Sequence, residues 1–218
     1  MAYIAGMPTQ RAVNSRQTAT PQEPVELLRR AALGGFFRPS QLETAGLTRD
    51  QLPALVRSGQ VERIGRGLYR LADAEPTEHY SLAMACARVP NSIVCLLSAL
   101  SVHVIGTQAP AAVWLAIPHK ARKPGLAGLK LRIVRFSGPA WTFGVQTTEF
   151  EGVPARITSP ARTVADCFRF ERLVGPEAAM EALQDALRQR KVTVAELSRV
   201  AEVLPSRRLS AALDMRSI

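Results

Sequence analysis

From His79 to Thr148 this 218-residue chain has no aspartate or glutamate, although seven lysines and arginines fall in the same stretch. A restriction-type nuclease core needs carboxylates and a lysine on adjacent strands, so the gap excludes one there. Glu149 and Glu151 alternate further on, but no lysine follows at the required spacing. A nucleotidyltransferase needs a Gly-Ser pair followed by spaced carboxylates, and neither is present. GxSxG, Walker A and GxGxxG patterns are also missing. Cysteine is scarce: Cys86, Cys95 and Cys167 show no CxxC spacing. That excludes a disulfide framework and a zinc finger, and fits reduced core thiols in a cytoplasmic protein. The three histidines are far apart, and His103 reads as a hydrogen-bonded core residue. The expectation is therefore a protein without catalytic residues, metal or cofactor. Long hydrophobic runs are lacking too. The stretch from Val89 to Pro118 carries no formal charge, but Pro90, Asn91, Gly106, Gln108 and Pro110 interrupt it. Its best apolar run, Ile93 to Ile105, falls short of the ~20 residues a spanning helix needs, so no membrane is expected.

The chain has 28 lysines and arginines against 18 carboxylates, a net charge of +10, which makes a polyanion the first partner to consider. Only Lys120, Lys123, Lys130 and Lys191 among those cations are lysine. With 47% hydrophobic and 21% charged residues the chain can bury a core, which excludes wholesale disorder. The first 22 residues are polar, acid-free and lack an apolar stretch, so they are not a secretory signal. They read as a disordered tail, with an arginine- and serine-rich transit peptide as the alternative.

Residues 23–73 read as a winged helix-turn-helix. Glu23-Pro24 opens a first helix that buries Val25, Leu28 and Ala32, and Gly34-Gly35 stops it. Ser40-Gln41-Leu42-Glu43 fits a capping box for a second helix, which ends at Gly46. Thr48 or Asp50 caps the third. Pro53 favours Asp50, because it then falls in the tolerant first turn. Leu52, Leu55 and Val56 should pack inward and Asp50, Ala54 and Arg57 outward, with Gln51 and Ser58 on a flank. Val61–Ile64 and Leu68–Leu71 around Gly65-Arg66-Gly67 read as a hairpin, the wing. The expected DNA-contacting set here is Ser40, Gln41, Arg49, Asp50, Gln51, Arg57, Arg63, Arg66 and Arg70. The alternatives are wing arginines that are only solvated surface, and a protein-interaction module that neutralises or scaffolds a partner without specific DNA binding. The module's own excess is modest, eight arginines against five carboxylates from Pro24 to Asp73.

Residues 78–218 read as a mixed α+β domain with a small sheet and C-terminal helices. Helices are expected over 78–88, over 99–105 with Ser98 as cap, over 160–170 with Ser159 as cap, and over 176–190, 193–204 and 206–215. Val113–Ile117 reads as a buried strand, Leu129–Ile133 as a half-exposed one, and 145–157 as a hairpin turning at Gly152. Arg162 and Asp166, four apart on one helix, are expected to pair and hold the fold. Lys120, Arg122 and Lys123 in a loop, with Lys130 and Arg132 on the solvent face of the following strand, are expected to extend the DNA footprint. A solubilising surface is the alternative.

Three groups of residues carry a family resemblance. Gly46-Leu-Thr-Arg-Asp-Gln-Leu52, Leu55-Val-Arg-Ser-Gly59 and Val61-Glu-Arg-Ile-Gly-Arg-Gly-Leu-Tyr69 resemble the N-terminal domain of AbiEi-type antitoxins. Ser98-Ala-Leu-Ser-Val-His103 and Ser159-Pro-Ala-Arg-Thr-Val-Ala-Asp166 resemble landmarks of that family's C-terminal domain. The resemblance implies a transcriptional repressor acting on its own operator, paired with a nucleotidyltransferase toxin encoded next to it in a type IV toxin–antitoxin system. It also implies that the toxin carries the enzyme activity and the antitoxin none.

Overall fold

The structure, a computed structural model, describes residues 23–31, 35–65, 67–126 and 128–215. The N-terminal tail, the predicted helix stop around Ala32 and Gly34, and Arg66 lie outside the described residues.

Helix α1 (Glu23–Arg30) carries Glu23 and Glu26 in its first turn and Arg29 and Arg30 in its last, each complementing the helix dipole. It buries Leu28. Strand β1 (Phe36–Phe37) leads into a 3-10 helix, Pro39–Ala45. Here the Ser40 capping box is corrected. The cap is Arg38, whose backbone N–H donates to Gln41 Oε1 at 2.8 Å, and Pro39 opens the helix. Gly46 ends it at φ 72°, a left-handed conformation that costs glycine little.

The next helix corrects the Asp50 cap in the same way. Thr48 is the cap, and its N–H donates to Gln51 Oε1 at 2.8 Å. The first turn, Arg49–Gln51, is 3-10, and α2 (Leu52–Arg57) begins only after it. Pro53 thus sits in the first turn of the α-helical segment, where it breaks no hydrogen bond. The change of helix type, not a later cap, accommodates the proline. Strands β2 (Val61–Gly65) and β3 (Leu68–Leu71) form the wing, and β1 pairs with β3, giving the order β1-β3-β2. Leu28, Phe37, Leu42, Leu47, Leu52, Leu55, Val61 and Leu71 close the small core beneath.

The rest is one five-stranded sheet with helices on both faces. In chain order come α3 (Tyr80–Arg88), β4 (Ile93–Val94), α4 (Leu96–Val102), β5 (Val113–Pro118), β6 (Leu131–Phe136), β7 (Val145–Phe150) and β8 (Val153–Thr158). Helices α5 (Pro160–Arg169), α6 (Glu171–Val174), α7 (Pro176–Arg188), α8 (Val194–Val203) and α9 (Arg207–Asp214) follow. The strand order is β6-β5-β4-β8-β7, with β5/β6 and β4/β8 parallel and the other pairs antiparallel. The whole is a mixed α+β fold. Ser159, Thr193 and Ser206 cap α5, α8 and α9, as the sequence predicts. Ser98 does not cap. Its helix starts three residues earlier after Cys95, and the buried Ser98 hydroxyl accepts from the Trp114 N–H at 2.9 Å. Leu131–Phe136 begins two residues later than predicted, and its second half buries Val134 and Phe136 on the face that carries Arg132.

One face of this sheet packs on α4, α5, α7, α8 and α9. The other packs on α3, and Phe36, Ile64 and Leu68 of the first module join that same core. Phe36 stacks on Tyr80 with ring centroids 5.6 Å apart. At the β7–β8 turn, Gly152 has φ 79°, and a Cβ there would lie 2.9 Å from the Phe36 carbonyl oxygen.

Arg162 and Asp166 are fully buried. The Arg162 Nε donates to Asp166 Oδ2 at 2.8 Å and Nη2 to the Ala140 carbonyl at 3.0 Å, while Nη1 donates to the Phe143 carbonyl. The guanidinium lies 4.9 Å from the Phe136 ring centroid. Arg169 donates to the second Asp166 oxygen at 2.7 Å. Burial pushes the Asp166 carboxyl up, against the two guanidiniums that pull it down. The cluster ties α5 to the segment between β6 and β7.

Candidate nucleic-acid interface

The outward side of the Arg49–Arg57 helix follows from its inward one. Leu52 and Leu55 are buried in the small core and Val56 is half-buried. Helical spacing then turns Asp50, Ala54 and Arg57 to solvent, and all three are exposed, with Arg49 and Pro53.

The wing alternates as a strand must. Arg63 on β2 pairs directly with Tyr69 on β3, so both share one face. Arg70 points the other way and is corrected as a site residue. It is only 6% exposed, its guanidinium lies 4.6 Å from the Tyr80 ring centroid, and Nη2 donates to the Ala74 carbonyl. It holds the wing to α3 and is turned away from solvent.

Helix and wing enclose a groove of about 470 Å³ lined by Pro39, Arg49, Leu52, Pro53, Val56, Arg57, Arg63 and Tyr69. Its lining contains three arginines and no carboxylate. Apolar walls beside exposed guanidiniums suit a ligand that is anionic along its edge and flat in its interior. Pro39 and Tyr69 are additions to the residues expected from sequence. Tyr69 is legible in the β-alternation, which makes it the cross-strand partner of Arg63.

The other predicted residues fall elsewhere. Gln41 is half-buried, spends its side-chain oxygen on the Arg38 N–H, and lines a different cleft with Asp73, Glu75, Glu149 and Glu151. Gln51 likewise spends its oxygen on the Thr48 N–H. Ser40 and Asp50 lie outside the groove lining. Lys120, Arg122, Lys123, Lys130 and Arg132 do not form one cluster. The loop after β5 leaves at the Pro118 end of the sheet, whereas Lys130 and Arg132 enter β6 at the Val113 end, because β5 and β6 run parallel. At ~3.3 Å per residue the two groups lie roughly 15–20 Å apart along the strand.

No metal-binding group of three or more His, Cys, Asp or Glu occurs among the described residues, and none of their helices is long and apolar enough to cross a membrane. The three cysteines are buried, and burial raises each thiol's pKa, that of Cys86 to about 12. His103 is half-buried, with Nε2 2.7 Å from the Thr158 carbonyl oxygen, and burial lowers its pKa.

No curated protein matches the chain. Among solved structures, the crystal structure of the RV2827C protein from Mycobacterium tuberculosis is similar, at 17% identity over 83% of this chain and 70% of that one, with a TM-score of 0.49. Residues 25–72 match the family model described as "Transcriptional regulator, AbiEi antitoxin". That segment spans α1, both 3-10 turns, α2 and the wing, and contains every residue lining the groove. Over residues 25–72 the chain is thus similar to the transcriptional-regulator domain of the AbiEi antitoxin family.

Proposed function

We propose that the chain is a transcriptional repressor that binds duplex DNA at its own operator, as the antitoxin of a type IV toxin–antitoxin pair. The observation that carries this reading is the acid-free groove of Arg49, Arg57 and Arg63 on the outward face of helix and wing. In it the Arg49–Arg57 helix enters the major groove. Arg57, in the last turn and directed away from Leu52 and Leu55, reaches a base edge, where arginine pairs bidentately with guanine. Arg49 and Arg63 meet phosphates on either side, positioning the helix without reading sequence. A nucleotidyltransferase toxin encoded beside it completes the pair and supplies the enzyme activity.

The test is a reporter driven by the chain's own upstream region. Expression of the chain should repress it, and the triple change Arg49→Ala, Arg57→Ala, Arg63→Ala should abolish repression while the protein stays folded by circular dichroism. A reporter indifferent to the wild-type chain overturns the repressor reading and leaves a protein-interaction module. A nucleotidyltransferase reading frame next to the gene tests the pairing.

A further inference from the structure

The five-stranded sheet has one end at which the first module docks. The β7–β8 turn is there, with Gly152 against Phe36. Strand β4 runs away from that end, parallel to β8 with Val94 opposite Ile157 and antiparallel to β5 with Ile93 opposite Ala116. Strand β5 finishes there, at Pro118. The loop His119–Lys123 therefore emerges level with the β7–β8 turn, and only β4 separates β5 from β8, a distance of roughly 10 Å at ~4.8 Å per strand.

That loop is held from below. Arg135, on the adjacent strand β6, directs Nη1 at two of its carbonyls and at that of Pro118, the last residue of β5. It donates to the Pro118 carbonyl at 3.2 Å, to the Ala121 carbonyl at 2.8 Å, and to the His119 carbonyl between them. One guanidinium thereby satisfies carbonyls that would otherwise face water and pins the loop's shape. Among the described residues, none of Lys120, Arg122 and Lys123 is in ion-pair contact with a carboxylate. Lys120, Arg122 and Lys123 stand in or beside a loop of low burial. Arg88, at the end of α3, lies against Gly65 at the wing turn. It stands on the β2 edge of the wing, the edge that carries Arg63. The carboxylates Glu75, Glu149 and Glu151 line the cleft beside Phe36, at the opposite edge of the β1-β3-β2 sheet. The β2 edge carries Arg63, Arg88 and the exposed Glu62, whereas Glu75, Glu149 and Glu151 lie in the cleft at the β1 edge, with Arg29 and Asp73.

We propose that the Lys120–Lys123 loop, held in shape by Arg135, is a second phosphate-binding surface for duplex DNA, continued from the winged helix by Arg88. The inference rests on the DNA-binding reading above and adds where the duplex runs. Uncompensated like charges repel one another unless a polyanion meets them, and surfaces that only solubilise mix both signs. In this scheme Lys120, Arg122 and Lys123 touch phosphates. Arg135 is a positioning residue, its nitrogen committed to the loop carbonyls. Lys130 and Arg132, at the far end of β6, take no part.

The experiment measures affinity of the full chain for a duplex of its own upstream region, and for a scrambled duplex, across salt concentrations. Each phosphate that the protein no longer neutralises flattens the slope of log K against log salt by ~0.9. Changing Lys120, Arg122 and Lys123 together to alanine should flatten it by up to about 2.7, so that the wild type loses about 40-fold more affinity than the variant between 50 and 200 mM salt. The ratio of cognate to scrambled affinity should stay at the wild-type value. Arg135→Met removes the donor that these carbonyls share and leaves Lys120, Arg122 and Lys123 in place. It should flatten the slope with an unchanged urea midpoint, which a merely structural role would not produce. Lys130→Ala with Arg132→Ala should leave the slope at its parental value. A wild type that prefers its own duplex, beside a triple loop variant with the parental slope, overturns this inference alone and leaves the loop as solvated surface or a dock for an acidic protein. A wild type without preference between the duplexes overturns the reading beneath it.

Discussion

Replacing Asp166 by asparagine keeps the side chain's size but removes the charge facing Arg162. The guanidinium is then buried at zero exposure with only neutral acceptors, the Ala140 and Phe143 carbonyls and the asparagine's amide oxygen. Removing one member of a buried ion pair costs about 3–5 kcal/mol, because the other charge stays in the interior uncompensated. A domain's whole stability is about 5–15 kcal/mol. At about 2–4 °C per kcal/mol for a chain of this size, the melting temperature should fall by roughly 6–20 °C. Arg162→Met leaves Asp166 with Arg169 alone and strands the two carbonyls, at about 1–3 kcal/mol each. The double change Arg162→Met, Asp166→Asn strands the same carbonyls but buries no unpaired charge. It should be less harmful than the sum of the single changes by about 2–3 kcal/mol, a coupling that urea unfolding of the four proteins measures. Additive single changes, or an Asp166→Asn cost below about 1 kcal/mol, would refute the assignment of this pair as a mainstay of the fold.

The remaining expectations concern the groove, the junction and acid stability. Arg57→Ala should cost about 1–3 kcal/mol at the cognate site and relax preference at one base position, whereas Arg63→Ala should weaken all duplexes alike; titrations against single-mismatch sites separate the two. Gly152→Ala, at φ 79° and facing the Phe36 carbonyl, should cost about 1–3 kcal/mol by chemical unfolding, and a neutral result would mean the junction yields easily. Hydrogen bonds from Thr107 and Gln108 hold the Glu181 carboxyl below its ordinary range, and the Gly106 N–H does the same for Asp185. Groups with lowered folded pKa values bind more protons when unfolded, so their contribution is present above the ordinary carboxylate pKa and lost as pH falls through the folded values. The urea midpoint should therefore drop between about pH 5 and about pH 3, and less so in Glu181→Gln.

Local signals are legible in the sequence and long-range ones are not. The β7–β8 hairpin and the caps at Ser159, Thr193 and Ser206 depend on a few neighbouring residues, and all lie where the sequence places them. Strand β4 is two residues long and exists only because β5 and β8 flank it, so no periodicity announces it. Ser98 carries a cap's chemistry, but its hydroxyl satisfies an N–H sixteen residues away. Pro53 argues against Thr48 only if the whole helix is α; a 3-10 first turn removes the conflict. Within the candidate site, helix spacing and wing charge point to Arg49, Arg57 and Arg63, and the fold brings them into one groove. Charge alone puts Arg70 on the DNA side, whereas strand alternation puts it under Tyr80. The six cations from Lys120 to Arg135 look contiguous in sequence, yet parallel pairing of β5 and β6 sends them to opposite ends of the sheet.

The most direct test is a competition mobility shift of the purified full chain on its own upstream duplex against a scrambled duplex of equal length at physiological salt. Specific binders prefer their site by about a thousandfold or more, and the account predicts a ratio in that range that falls with Arg57→Ala. Equal affinity for the two duplexes would contradict it.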